Sequence, residues 1–198
     1  MHRTLARATL GVMLLTLACN GSDGDGGLFN GVPTFVPDRA AAEGEFFLVG
    51  GPVHDDLMDL ELHVRWPEGK GSLGVVFLYL KLPAGCELRD VRVAGDWPAW
   101  PGPPLTIHAT ASTSDGLWYF GATPGPNEAD ESGNRCDPFP EPRVGDLHVA
   151  TLTVRLSRVR PARVDVVWSD RDNRETWYCR DATRAFLLHP VVVGGVIH

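Results

Sequence analysis

The sequence predicts an all-β protein that folds as a single antiparallel β-sandwich of jelly-roll or immunoglobulin-like type, with about eight or nine strands. Short segments alternate apolar and polar residues with the two-residue period of a half-buried strand. The 22 Gly and 16 Pro make up about a fifth of the 198 residues, a density that favours many short elements joined by turns over long helices. Apolar residues are 43% of the chain and include six Trp, which is enough for a core.

The clearest predicted strand covers residues 60–66. Its apolar residues share one face, and its polar residues, Glu61, His63 and Arg65, share the other. A turn follows at 67–71. Residues 74–82 are apolar on both faces, which predicts a central strand that is covered on both sides.

Further strands are predicted on either side of a long insertion. They cover residues 88–94, 105–111, 117–120, 147–156, 164–168 and 176–178. Residues 185–188 and 191–197 are expected to add one or two final strands. In the strand 147–156, alternate residues from Ala150 to Leu156 are expected to form the inner face. Residues 28–47 show few periodic positions, and the proline-rich insertion 123–145 is predicted to be a surface loop.

The N-terminal segment has the composition of a targeting leader. Two arginines precede an apolar run over 10–18 that is too short to span a bilayer as a helix. Residues 20–27 are Gly, Asp, Ser and Asn, which predicts a flexible tether. The expected organisation is a cleaved leader at 1–18, a cysteine and tether at 19–34, and a β-sandwich domain at 35–198.

The end of the leader, Leu15-Thr16-Leu17-Ala18-Cys19, resembles the lipobox of bacterial lipoproteins. This resemblance implies cleavage between Ala18 and Cys19 and acylation of Cys19, so that the protein is anchored to a membrane by lipid. Asn20 resembles the sorting pattern for export to the outer membrane. The expected location is therefore the bacterial cell envelope, at the outer membrane. The alternative is an ordinary secretory signal that is cleaved nearby.

The charge of the chain argues against nucleic acid as a partner. The net charge is −7, and it becomes −9 when Arg3 and Arg7 leave with the leader. The chain has no Lys/Arg cluster long enough to follow a phosphate backbone.

Three cysteines remain after Cys19, so at most one intramolecular disulfide is expected. We favour Cys136–Cys179 because both lie in polar, turn-rich sequence, and closing a loop of about 44 residues would contribute roughly 4 kcal/mol. Cys86, at a predicted turn, then keeps its thiol. The chain has no CxxC pair, so the sequence does not indicate a structural zinc site of that type.

The order of the strands at 60–66, 72–82 and 144–156 resembles that of bacterial cohesin-like domains. The last of these, which runs from Gly145 and Leu147 through Ala150 to Val154, is similar to a strand that recurs near the end of that jelly-roll β-sandwich. The resemblance covers residues 35 to 168. It implies a non-catalytic module that binds a protein partner or a polysaccharide.

Trp97 and Trp100 are candidate ligand-binding residues. Both lie in the proline-stiffened segment 97–104, and rigid exposed indoles stack on sugars, as in carbohydrate-binding modules, or fill a partner's hot spot. The alternative is that they pack against one end of the sandwich.

Two oxygen-rich segments are candidate structural calcium sites. Asp130 and Asn134 lie in the first, and Asp170 and Asp172 lie in the second. Neither segment completes an EF-hand loop, and the alternative is that both are solvated loops. No other cofactor is expected.

No catalytic residue is assigned, because the chain has no G-x-S-x-G or H-E-x-x-H motif. The principal alternative to a binding module is an envelope hydrolase or metal-dependent enzyme that uses His63, His148 and loop acids. These two histidines could meet across neighbouring strands on an outer face. A third hypothesis is a structural envelope lipoprotein that has no discrete ligand.

Overall fold

The computed structural model describes residues 31–94, 96, 105–108, 117–123, 142–156, 161–167, 176–181 and 184–198. These residues form an all-β protein with two sheets. The described part of the chain contains no helix that is long and apolar enough to cross a membrane.

The described strands, in chain order, are β1 (Phe35–Pro37), β2 (Phe46–His54), β3 (Leu57–Trp66), β4 (Ser72–Lys81), β5 (Glu87–Val93), β6 (Leu105–His108), β7 (Leu117–Thr123), β8 (Gly145–Arg155), β9 (Ala162–Val167), β10 (Trp177–Asp181), β11 (Arg184–Leu187), β12 (Val192–Val193) and β13 (Gly195–Ile197).

The two sheets differ in size. The smaller sheet has the order β12-β2-β3-β8-β5. The larger sheet has the order β1-β13-β9-β4-β10-β11, with β7 also paired to β4 and β6 paired to β7. Within the described residues the pairings are antiparallel apart from β12 with β2, which is parallel. The predicted all-β sandwich class is confirmed.

The number of strands exceeds the predicted eight or nine. Some of the additional strands are short, such as β1 with three residues and β12 with two. Segments of this length contain at most one repeat of an alternating pattern, so their hydropathy carries no period that could be recognised.

The central strands follow their hydropathy closely. The apolar face of β3, from Met58 to Trp66, is buried, and the polar residues between are partly exposed. β4 is buried on both faces, as predicted. Leu78 and Leu80 of β4 belong to the core between the sheets, whereas Phe77 and Tyr79 belong to a second apolar cluster with Trp177.

β2 is not among the predicted strands. Its middle is Gly50-Gly51-Pro52, which is typical of a turn, yet the strand continues through an irregular register between Gly50 and Val53. A Cβ on Gly50 would lie 3.0 Å from the Cβ of Phe35. The glycine therefore lets β1 approach β2 closely, and a residue typical of a turn here forms part of a strand.

Cys179 is buried although its neighbours in sequence are polar. It lies in β10 and packs in the second apolar cluster with Val75 and Trp177, whereas the adjacent Arg180 is exposed. Cys179 is disulfide-bonded. Cys136 lies outside the described residues, so its pairing with Cys179 stays a prediction. Cys86 is a buried thiol at the end of a turn. Its N–H closes the turn by donating to the carbonyl of Pro83 at 3.1 Å.

Candidate functional site

The candidate site lies on the outward face of the smaller sheet. β3 is the middle strand of this sheet and presents Glu61, His63 and Arg65 on that face, as its alternation predicts. The side chain of His63 is 18% exposed and that of Glu61 is 33% exposed. Both side chains are therefore reachable from solvent but held against their neighbours.

A β-bulge in β8 brings a second histidine to this face. Leu62 is opposite Ala150, whereas His63 is opposite His148, so Val149 is an extra residue on β8. Val149 and Ala150 are both fully buried. Strict alternation from Ala150 would turn His148 toward the core, and the bulge redirects it outward beside His63.

Three rings from three neighbouring strands form a stack on this face, which we call the ring stack: Phe47 of β2, His63 of β3 and His148 of β8. The ring centroids of Phe47 and His63 are 5.4 Å apart with an interplanar angle of 25°. Those of His63 and His148 are 4.8 Å apart with an angle of 11°. The guanidinium carbon of Arg65 lies 5.8 Å from the centroid of Phe47, so a cation also borders the stack.

Each histidine has its own polar contact. Nε2 of His63 lies 2.9 Å from Oε2 of Glu61, and Nε2 of His148 lies 3.1 Å from Oγ1 of Thr151. Relayed nucleophilic catalysis requires a single imidazole between a hydroxyl and the group that orients it. Here the carboxylate contacts one ring and the hydroxyl contacts the other, so these contacts orient the rings without forming such a relay.

An ion pair lies at one side of the ring stack. Arg65 donates to both carboxylate oxygens of Asp146, with Nε–Oδ1 at 2.8 Å and Nη2–Oδ2 at 3.0 Å. The same guanidinium donates to the carbonyl of Ala41 at 2.7 Å. The hydrogen bonds from Arg65 to its carboxylate hold the pKa of Asp146 below its ordinary value. The pair joins β3 to β8 in a fixed geometry.

A second polar group lies farther along β3 and β8 and on the neighbouring strand β5. Arg92 of β5 donates to Oδ2 of Asp59 at 2.8 Å, and the hydroxyl of Thr153 donates to Oδ1 of Asp59 at 2.6 Å. Arg155 forms an ion pair with Asp56 at 3.1 Å. The face therefore has half-buried rings between two sets of cross-strand ion pairs.

The structure brings together two of the residues that the sequence singled out, His63 and His148. It adds Phe47, Thr151 and Asp146, which no local pattern marks as site residues. Phe47, for example, lies at the end of the segment 28–47, which has few periodic positions. The other predicted site residues lie outside the described residues, so their roles stay predictions; they are Cys19, Trp97, Trp100, Asp130, Asn134, Cys136, Asp170 and Asp172.

Comparison with known proteins gives a structural likeness. No protein-family model matches the chain, and no curated protein sequence does. A chain from the crystal structure of a type I cohesin–dockerin complex of Clostridium thermocellum is similar, with a TM-score of 0.46 and 13% sequence identity. The alignment covers 79% of this chain and 94% of that chain.

Proposed function

We propose that this protein is a non-catalytic binding module that recognises a protein partner through the outward face of the smaller sheet. The observation that carries the proposal is the ring stack, half-buried between two sets of ion pairs on one continuous face. Aromatic residues and Arg are enriched at the centres of protein interfaces, and charged residues surround them.

The charges on this face favour a protein partner over a neutral polysaccharide. Arg65, Arg92 and Arg155 alternate with acidic residues across three strands. An arrangement of both signs can be matched by complementary charges on another protein, which gives specificity and faster association. A polysaccharide remains the expected ligand if binding depends instead on Trp97 and Trp100.

The proposal includes a lipid anchor at Cys19 that places the module at the outer membrane of a bacterial cell envelope. The lipobox-like sequence and the tether rich in Gly and Asp support it. Acyl chains contribute about 0.8 kcal/mol for each buried methylene, so two or three chains anchor a protein firmly. The test is the mass of the N-terminal peptide from membrane-extracted protein: an unmodified Cys19 would contradict the anchor.

Capture of a partner tests the binding face. The full-length protein in detergent is immobilised and exposed to envelope extract and, separately, to envelope polysaccharide. Arg92→Glu changes the face, and Arg163→Glu on β9 of the larger sheet is the matched control. Their side chains are 56% and 52% exposed, and each arginine forms ion pairs with two aspartates.

The expected result is a specific protein that is captured by the wild type and by Arg163→Glu but lost with Arg92→Glu. Equal capture by both variants would contradict the proposed face. Capture lost only when Trp97 and Trp100 are changed to Ala would move the site to their loop. No capture at all would favour a structural lipoprotein.

Repeating the experiment with calcium added or chelated tests the proposed calcium sites at Asp130, Asn134, Asp170 and Asp172.

A further inference from the structure

Two imidazoles and one carboxylate converge at the centre of the outward face. The ligand atoms of Glu61, His63 and His148 all lie within 4.8 Å of one another. We infer that these three side chains form a binding site for a divalent transition-metal ion of the Zn²⁺ class. This inference does not depend on the proposed function, because it concerns the ion alone.

The donor set suits such an ion. Imidazole nitrogen and carboxylate oxygen together are typical ligands of zinc, whereas calcium and magnesium prefer oxygen alone. Ligand bonds of about 2.0–2.2 Å place atoms bound to one zinc ion about 3–4 Å apart. Oε2 of Glu61 and Nε2 of His63 are already 2.9 Å apart. The widest separation, 4.8 Å, must shorten by roughly 1 Å, which rotation of partly exposed side chains can supply.

The backbone presets the three positions. Glu61 and His63 are two residues apart on one strand, so they share a face, and the bulge at Val149 places His148 directly opposite His63. β3 is held by β2 on one side and by β8 on the other. Binding therefore requires movement of side chains and none of the main chain.

Neighbouring groups support two of the ligands. The ring of Phe47 packs against His63, with centroids 5.4 Å apart. Oγ1 of Thr151 lies 3.1 Å from Nε2 of His148, and this contact orients the ring of His148. A hydrogen bond to one imidazole nitrogen fixes the orientation of a metal-binding ring and is a common feature of such sites.

The electrostatics of the site permit a cation. The guanidinium of Arg65 on the same strand is held at two points by the carboxylate of Asp146, which reduces its repulsion of an incoming ion. Glu61 contributes a negative charge as a ligand. Three protein ligands leave one position of a tetrahedral ion open, and on this outward face that position is available to water.

The test is titration of the metal-free full-length protein, without a polyhistidine tag, in detergent. Zn²⁺ binding is measured by calorimetry, and Co²⁺ is used as a probe because its visible absorption reports tetrahedral ligation. One equivalent is expected to bind. His63→Ala and His148→Ala are each expected to weaken the affinity at least about tenfold. His54→Ala, at an exposed histidine at the end of β2, is the matched control and is expected to leave the affinity unchanged.

Three results would overturn the inference: no Zn²⁺ binding by the wild type, unchanged affinity in His63→Ala and His148→Ala, or an equal loss in His54→Ala. A measurement on the wild type alone guards against variants that fail to fold. Zn²⁺ is expected to shift the imidazole proton resonances of His63 and His148 and to raise the melting temperature. Resonances of these two rings that do not move at saturating Zn²⁺ would also overturn the inference.

Discussion

His63 and His148 face each other across β3 and β8 because Val149 is an extra, fully buried residue in β8. The stacked imidazoles, with centroids 4.8 Å apart, are therefore a consequence of how β8 fills the core. Val149 and Ala150 both point inward, and His148 is displaced to the outer face. The candidate site and the packing of the sandwich share this one irregularity of the backbone.

Deletion of Val149 is expected to destabilise the protein more than Val149→Ala does. The substitution keeps the bulge and removes two buried methyl groups, at a cost of about 1–3 kcal/mol. The deletion removes the whole buried side chain of Val149 and also the hydrogen bond that the N–H of Ala94 donates to the carbonyl of Val149 at 3.1 Å. His148 then directly precedes Ala150, so the ladder becomes regular and His148 stays on the outer face beside His63. Urea unfolding of both variants checks this order. Equal stability of the two would show that the bulge itself adds nothing to the stability of the protein.

Thr176→Val is expected to destabilise the protein by about 1–3 kcal/mol. The fully buried hydroxyl of Thr176 accepts a hydrogen bond from the N–H of Phe77 and donates one to the carbonyl of Phe77, both at 2.9 Å. The hydroxyl thus provides a hydrogen-bond partner for both backbone groups of Phe77 in β4, one residue before β10 begins. Valine has the same shape but leaves both backbone groups buried without this partner.

Thr176→Ser is the matched control, because it keeps the hydroxyl and removes one methyl group. Its loss of stability in urea unfolding is expected to be smaller than that of Thr176→Val. The reverse order would mean that packing of the methyl group matters more here than the two hydrogen bonds to Phe77.

Gly121→Ala is expected to destabilise the protein by about 1–3 kcal/mol through overpacking. A Cβ at this position of β7 would clash with Cε1 of the Phe77 ring. The ring of Phe77 is stacked on Tyr119 with centroids 5.9 Å apart, so it cannot move away without disturbing a second ring.

Gly31→Ala, where a Cβ would meet nothing within 4 Å, is the control and is expected to stay within about 0.5 kcal/mol of the wild type. Thermal unfolding of both variants measures the difference, and equal stability would show that the second apolar cluster repacks freely.

The sequence was sufficient to predict the strands whose burial follows from the hydropathy pattern of their own residues. β3 and β4 follow from hydropathy alone, because burial on one face or on both faces leaves a distinct pattern. β2 does not follow, since Gly50 and Gly51 are needed for close approach to other strands rather than for a local turn.

The candidate site was predictable only in part, for a related reason. The outward position of His63 follows from the alternation in β3. The outward position of His148 contradicts simple alternation with Ala150, and it depends on a bulge that forms where β8 pairs with β3. Phe47 joins the ring stack through β2, a strand that local sequence does not reveal. Contacts between strands distant in the chain thus determine the site.

Glu45 is expected to make the stability of the protein depend on pH in the acid range. Its carboxylate accepts hydrogen bonds from Arg39 at 2.6 and 2.9 Å and from the N–H of Ala42 at 2.7 Å, and these contacts lower the pKa of Glu45 from 4.5 to about 2. Because the folded state holds the carboxylate ionised more strongly than the unfolded chain does, the stabilisation is complete above pH 4.5 and is lost as the pH falls toward 2. Melting temperatures of the wild type and Glu45→Gln are therefore expected to differ at neutral pH and to converge near pH 2. Arg39→Gln removes the main partner and is expected to show the same convergence. A difference that stays constant down to pH 2 would show that Glu45 stabilises the fold by packing and not by its charge.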